Sequence, residues 1–288
     1  MERRSRQLAR RLHDVVDVWV DANRNSTTFP TQVREDGTLG PWQPVYGPLM
    51  EATSASLNAF VAAATAAVEY ESSTLTLFVD ALVRLFDSPV RDGYTWATEA
   101  PKLVARLGAE TLMARAVFLR RWQSFATIAT PKLRGSEGIQ PWVFLSSFVY
   151  PKTLGGDSLL AGLLISSQMR VDPLNDELQI SPDEAVASAA DANVLVAVAQ
   201  AAEVEKGKRT LFFWGHTAGP SKYLMQTLVR DRAALSPFAS LVDEDLDAFR
   251  KAFATRFNAQ LVLVRRVQRF IFLSPPDDIM ELVNQVSR

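Results

Sequence analysis

The sequence contains no cysteine and only two histidines, His13 and His216, and each shortage removes a class of function. Without cysteine there is no disulfide framework, no thiolate zinc site, no iron–sulfur cluster and no cysteine nucleophile. A multi-histidine metal site would need both histidines, and His13 falls in the N-terminal segment. We therefore predict that the protein uses no metal and no cofactor.

Long apolar runs are also missing. The longest, residues 142–150 and 158–165, are shorter than the about 20 residues that a membrane-spanning helix needs. The N-terminus is rich in arginine, but it also carries acidic residues and no apolar signal-peptide core follows it. We expect no membrane association and a cytoplasmic location, or a place in the virion if the protein is viral.

Motifs of the common enzyme classes are absent as well. The chain has no G-x-S-x-G elbow and no G-x-G-x-x-G fingerprint, and residues 206–210 lack the upstream glycine of a phosphate loop. The best catalytic candidate is residues 214–222, where His216 lies between glycines and Lys222 adds charge for an anion. A tight turn explains the same pattern, and no activating carboxylate can be assigned. We therefore predict that the protein is not an enzyme.

What the sequence does have is charge sorted into blocks. The total of 31 Lys+Arg against 32 Asp+Glu gives a formal net charge of -1 at pH 7. Residues 102–134 are mainly basic, residues 172–205 contain acids but no Lys or Arg, and residues 206–232 are mainly basic again. Such segregation allows a nearly neutral protein to present one surface that attracts polyanions and a separate acidic surface.

Apolar residues recur at helical spacing through most of the chain. In residues 3–20 they form one stripe of an amphipathic helix, and residues 23–48 follow as a Pro/Gly-rich segment that we expect to be extended. Residues 49–130 are helical in pattern, with a stop predicted at Gly108. Ser181, Pro182 and Glu184 match a capping box, which predicts a helix from there to about Lys206.

These patterns predict a mainly α fold with few or short strands. We expect a two-lobed helical domain that carries an N-terminal amphipathic helix on an extended arm. The predicted divisions are residues 1–48 for the helix and arm, 49–134 for a helical lobe, and 135–288 for a second, mainly helical lobe.

Arginine or lysine lies next to aromatic residues at three places, and this pattern is typical of nucleic-acid contact. Guanidinium groups bind phosphates in bidentate fashion, and a neighbouring ring can stack on an unpaired base. The same pattern also arises where arginines face solvent while the aromatic residues face the core. The candidate nucleic-acid-binding residues are Arg115, Arg120, Arg121, Trp122, Lys208, Arg209, Trp214, Arg265, Arg266 and Arg269. The candidate subunit interface is Leu8, Leu12, Val16 and Trp19.

These observations favour a non-enzymatic, self-assembling structural protein. The most concrete form is a viral coat or nucleocapsid-type subunit that packages RNA. Its partners would be further copies of itself, in a homo-oligomer or filament with arm exchange, and single-stranded RNA or another polyanion. Two alternatives stay open: an α-helical interaction or scaffold protein that binds no nucleic acid, and an enzyme with a site around His216.

Overall fold

The computed structural model describes residues 2–24, 43–86, 95–129, 174–205, 221–242, 245–252 and 277–287. These residues are almost entirely helical, and none of them belongs to a strand. The prediction of a mainly α fold is therefore confirmed. The helices are α1 (Glu2–Arg24), α2 (Gln43–Glu69), α3 (Leu75–Phe86), α4 (Thr95–Phe118), α5 (Trp122–Ala129), α6 (Leu174–Glu177), α7 (Pro182–Glu205), α8 (Lys222–Arg230), a 3₁₀ helix (Arg232–Val242), α9 (residues 246–252) and α10 (Asp277–Val286).

The predicted extended arm is shorter than the sequence suggests. Residues 43–48, which we expected to be extended, form the beginning of α2. Pro44 lies in the first turn, where a backbone N–H has no helical acceptor, so its missing donor costs no helical hydrogen bond. The remainder of the predicted arm, residues 25–42, and the predicted lobe boundary after residue 134 lie outside the described residues.

Helix α1 packs its apolar stripe against its own chain. The helix contacts α2, α3 and α4, and Leu12, Val16 and Trp19 are buried there. On the rim of this contact the Arg84 guanidinium donates to both carboxylate oxygens of Asp17, at 2.8 and 3.1 Å. An amphipathic helix of this kind gains its stability from the surface it covers.

Helix α4 is the central element, because it packs against α2 and α3, which precede it in the chain, and against α5 and α7, which follow it. The predicted stop at Gly108 is wrong, since the helix continues to Phe118. A Cβ at Gly108 would lie 3.0 Å from Cδ2 of Leu82 on α3. The glycine therefore serves the close approach of two helices rather than a helix end.

Helix α7 begins with the predicted capping box, which the structure confirms. The Ser181 N–H donates to Oε2 of Glu184 at 2.9 Å, and the Glu184 N–H donates to Oγ of Ser181 at 3.3 Å. The Ser181 hydroxyl also donates to Oε2 of Glu184 at 2.7 Å, and this side-chain hydrogen bond, followed by the backbone one, lowers the pKa of Glu184. Both partners satisfy donors that the first turn of a helix would otherwise leave open.

Buried apolar side chains from α1 through α10 form one contiguous core. The described helices on both sides of residue 134 contribute to it, with α4 and α7 in direct contact. The division into two lobes stays a prediction.

Candidate nucleic-acid interface

The turn between α4 and α5 presents two adjacent arginines to solvent. Helix α4 ends with the Arg120 N–H donating to the Val117 carbonyl at 3.1 Å and the Arg121 N–H donating to the Ala116 carbonyl at 2.8 Å. This pair of bonds is the Schellman arrangement, in which the residue after the helix takes a left-handed conformation. Arg120 takes that conformation, with a φ of 55°, and both arginine side chains are exposed.

Arg120 reaches an aromatic ring from a distant part of the sequence. Its Nε donates to the hydroxyl oxygen of Tyr223 at 2.7 Å, across 103 residues of chain, and its Nη2 donates to the same oxygen. The guanidinium carbon lies 5.0 Å from the centre of the Tyr223 ring, which is 51 % exposed. We call Arg120, Arg121 and Tyr223 the arginine–tyrosine surface.

The helix that carries Tyr223 is anchored at its first residue. Ser221 caps α8 in an extended conformation, and its Oγ accepts from the Leu224 N–H at 3.0 Å. The Ser221 backbone N–H donates to Oδ1 of Asp191 at 2.7 Å, and its hydroxyl donates to Oδ2 at 2.6 Å. Asp191 on α7 therefore fixes where α8 begins, and with it the position of Tyr223.

A second contact ties α8 to α10. The Lys222 ammonium donates to Oδ2 of Asp278 at 2.6 Å, and this hydrogen bond is the main cause that lowers the pKa of Asp278. Both side chains are exposed, so the pair is screened by solvent and salt. The Lys222 ammonium, although it belongs to the residue next to Tyr223, is therefore held at α10.

Asp191 is a buried carboxyl, at 3 % exposure, although it belongs to the acidic block that the sequence assigns to the surface. Burial raises its pKa to about 6, against the two hydrogen bonds from Ser221, which lower it. Because the pKa in the folded protein lies above the unfolded value of 3.8, protonation favours the folded state.

Asp191→Asn is therefore expected to change how stability depends on pH. The stabilisation that protonation of Asp191 gives the wild type is complete below about pH 4 and is lost as the pH rises through about 6. The stability of the wild type relative to the variant should fall across this window by about 3 kcal/mol. Urea unfolding of both proteins from pH 4 to pH 7 measures the difference, and other carboxyls cancel in it. Parallel curves would show that Asp191 does not titrate as a buried group.

Arg115 lies inside the protein, at 1 % exposure, and not on the surface where phosphate contact was predicted. Its Nη2 donates to Oδ1 of Asn175 on α6 at 2.9 Å. A phosphate of a polyanion does not reach a guanidinium in this position, so Arg115 is a core residue that ties α4 to α6. It takes no part in the interface proposed below.

Trp122 is likewise not available as a stacking surface. Its side chain is buried, and its ring lies 5.7 Å from that of Phe238, centre to centre. Here the arginines face solvent while the neighbouring aromatic residue faces the core. Of the predicted residues near the α4–α5 turn, only Arg120 and Arg121 are therefore exposed to solvent.

The other predicted contacts divide between the core and the undescribed segments. Leu12, Val16 and Trp19 are buried against their own chain, and Leu8 packs on the edge of the same core. An exchange of α1 between subunits would have to reproduce these contacts on a neighbouring chain, and it stays a prediction. Lys208, Arg209, Trp214, His216, Arg265, Arg266 and Arg269 lie outside the described residues.

Two features escaped the sequence reasoning. Tyr223 was not singled out, because its partner Arg120 lies far away in the sequence and only the fold brings them together. The exposed arginines along the first half of α1 are not among the predicted nucleic-acid contacts, although their density is a usable signal; they are Arg4, Arg6, Arg10 and Arg11. They add basic charge to the exposed part of α1, which also carries Asp14 and Asp17, while the apolar stripe faces the core.

Within the described segments, no group of three or more His, Asp or Glu side chains is arranged to hold a metal ion. None of the helices in those segments is long and apolar enough to cross a membrane. Comparison with protein-family models, with curated proteins and with solved structures found no match for this chain.

Proposed function

We propose that the protein binds RNA through the arginine–tyrosine surface and coats it as a self-associating structural subunit of nucleocapsid type. The observation that carries the proposal is the exposed pairing of Arg120 with Tyr223, beside the exposed Arg121 in the same turn. Guanidinium groups neutralise phosphates and release counterions, and this supplies most of the affinity for a polyanion irrespective of sequence. Self-association is supported by the near-neutral charge, since a free nucleic-acid binder is usually strongly basic.

The exposed arginines of α1 form a second basic region in the proposal. Arg4, Arg10 and Arg11 stand on the solvent side of a helix whose other side is buried. Arg4 and Arg11 are seven residues apart and therefore share one exposed face, where they can contact successive phosphates of a flexible strand. This arrangement fits the coating of RNA better than recognition of a single small anion.

The first test is the mass of the purified full-length protein by light scattering, together with its absorbance at 260 and 280 nm, at about 50 and 200 mM salt. We expect large assemblies that contain nucleic acid at low salt and that weaken at high salt. A nucleic-acid-free monomer or dimer, unchanged by salt, would contradict the proposal and favour a scaffold protein.

A matched pair of glycine variants tests the surface itself. Arg120→Gly and Glu71→Gly both replace a residue in the left-handed conformation at a helix end, where φ is 55° and 47°. Glycine removes a strain of about 1 kcal/mol in each case, and in Arg120→Gly this offsets the loss of the exposed hydrogen bonds to Tyr223, so both variants should stay folded. We expect Arg120→Gly to weaken binding of single-stranded RNA and to reduce the salt slope by about 1.

Glu71→Gly provides the control, because loss of an acidic side chain does not weaken binding to a polyanion. Fluorescence anisotropy with a labelled RNA of about 12 nucleotides measures both variants beside the wild type. Equal affinity of Arg120→Gly and Glu71→Gly at every salt concentration would remove Arg120 from the interface.

A further inference from the structure

Tyrosine side chains are exposed at two sites whose surroundings differ. Among the described residues, the large apolar or aromatic side chains that are exposed are Val18, Tyr70 and Tyr223. Tyr70 is 77 % exposed and lies between Glu69 and Glu71 in the turn after α2. Tyr223 is 51 % exposed and is held by an arginine. Acidic neighbours repel a phosphate backbone, whereas arginine attracts it, so only the second tyrosine is suited to nucleic acid.

Arg120 holds the Tyr223 ring without covering it. Two of its nitrogens donate to the hydroxyl oxygen, while the guanidinium carbon stays 5.0 Å from the ring centre. The guanidinium therefore lies toward the hydroxyl end of the ring rather than squarely over its face. Hydrogen bonds at this end restrict rotation of the side chain, so less entropy remains to be lost when a ligand binds.

The backbone beneath Tyr223 is also fixed before any ligand arrives. Ser221 caps the helix and donates two hydrogen bonds to the buried carboxylate of Asp191. Tyr223 follows two residues later, in the first turn of α8. A ring on an anchored helix end is a more rigid binding element than a ring on a loop.

We propose that Tyr223 is a stacking platform for one unpaired base, with Arg120 and Arg121 contacting the phosphates beside that base. The inference rests on the proposed function and adds that the surface selects single-stranded RNA over a duplex. A base in a duplex is already stacked on both faces, whereas an unpaired base can stack on an aromatic ring. Stacking also tolerates any base, which suits a protein that coats RNA of arbitrary sequence.

The competing explanation is that Tyr223 only ties α8 to the α4–α5 turn. Three variants separate the two roles: Tyr223→Ala, Tyr223→Phe and, as the matched control, Tyr70→Ala. Phenylalanine keeps the ring but loses the hydroxyl that accepts from Arg120. A purely structural tie would make Tyr223→Phe resemble Tyr223→Ala, whereas stacking would make it resemble the wild type.

The experiment is anisotropy titration of full-length protein with a labelled oligouridine and with an RNA duplex of equal length, at one fixed salt concentration. We expect Tyr223→Ala to weaken binding of the single strand at least about five-fold, with little change for the duplex. Tyr223→Phe should retain most of the affinity, and Tyr70→Ala should bind as the wild type does. Thermal melts of the same proteins check that each variant is folded.

Each outcome bears on the inference. An equal loss for single strand and duplex, or the same loss in Tyr223→Phe, would overturn stacking while leaving phosphate binding by Arg120 and Arg121 in place. Wild-type protein that binds neither RNA would overturn the proposed function, and with it the stacking site. A selective loss in Tyr223→Ala alone would establish the platform.

Discussion

Replacing Phe238 with alanine is expected to lower the free energy of unfolding by about 3–5 kcal/mol. The ring is fully buried in the 3₁₀ helix region and stacks on Phe249, with ring centres 5.1 Å apart. It also meets Phe125 at 5.6 Å and Trp122 at 5.7 Å. Alanine would leave a cavity among three rings from α5 and α9 and would remove aromatic contacts worth about 0.5–1.5 kcal/mol each beyond burial. A typical domain is stable by only about 5–15 kcal/mol, so the loss is a large fraction.

Two controls make the Phe238 result specific to packing. Phe238→Leu fills most of the same volume and should cost clearly less, while Tyr70→Ala removes an exposed ring and should stay within about 0.5 kcal/mol of the wild type. Urea unfolding followed by circular dichroism measures all three variants. A loss below about 1 kcal/mol for Phe238→Ala would contradict the central position of this ring.

The helices were predictable where their signals are local. The stripe of α1 repeats at helical spacing, and the capping box at Ser181 and Glu184 involves residues three apart, so both are visible in the sequence. Gly108 misled the prediction, because its role depends on Leu82 of α3 and not on its neighbours in the chain. Whether a glycine ends a helix or allows another helix to approach closely depends on tertiary contacts, which the local sequence does not show.

The partition of the α4–α5 arginines shows why the site was only half predictable. Apolar residues recur at helical spacing through residues 112–125, so the sequence predicts one continuous helix there. In such a helix the position of each arginine relative to the core would follow from that spacing alone. The Schellman turn at Arg120 and Arg121 ends α4, and a new helix starts at Trp122. Glycine usually marks such a turn, but here arginine occupies the left-handed position, so the sequence carries no sign of the break.

Buried polar groups were beyond the reach of sequence reasoning. Asp191 belongs to an acidic block and Arg115 to a basic block, yet both are almost fully buried. Their partners lie far away, with Ser221 30 residues from Asp191 and Asn175 60 residues from Arg115. A block of charged residues in the sequence therefore predicts a charged surface only for those of its members that are exposed.

Replacing Trp19 with alanine is also expected to cost about 3–5 kcal/mol of unfolding free energy. The indole is buried where α1 meets α2, and its ring lies edge-on to Phe60 with centres 5.6 Å apart. Its Nε1 donates to Oγ of Ser56 at 2.6 Å, a bond that alanine cannot make. The loss combines a cavity, an aromatic contact and a hydrogen bond worth about 1 kcal/mol.

The neighbouring Val18 supplies the matched control, since it stands on the same helix but is 65 % exposed, and Val18→Ala should change stability by less than about 0.5 kcal/mol.

Chemical unfolding at several protein concentrations then tests the predicted arm exchange as well. If α1 packs on its own chain, the difference in midpoint between wild type and Trp19→Ala does not depend on concentration, whatever association other surfaces give both proteins. If α1 docks on a neighbouring subunit, this difference shrinks on dilution, because dissociation then uncovers Trp19 in the wild type as well. Equal stability of Trp19→Ala and Val18→Ala at all concentrations would show that α1 is not held by Trp19 in either way.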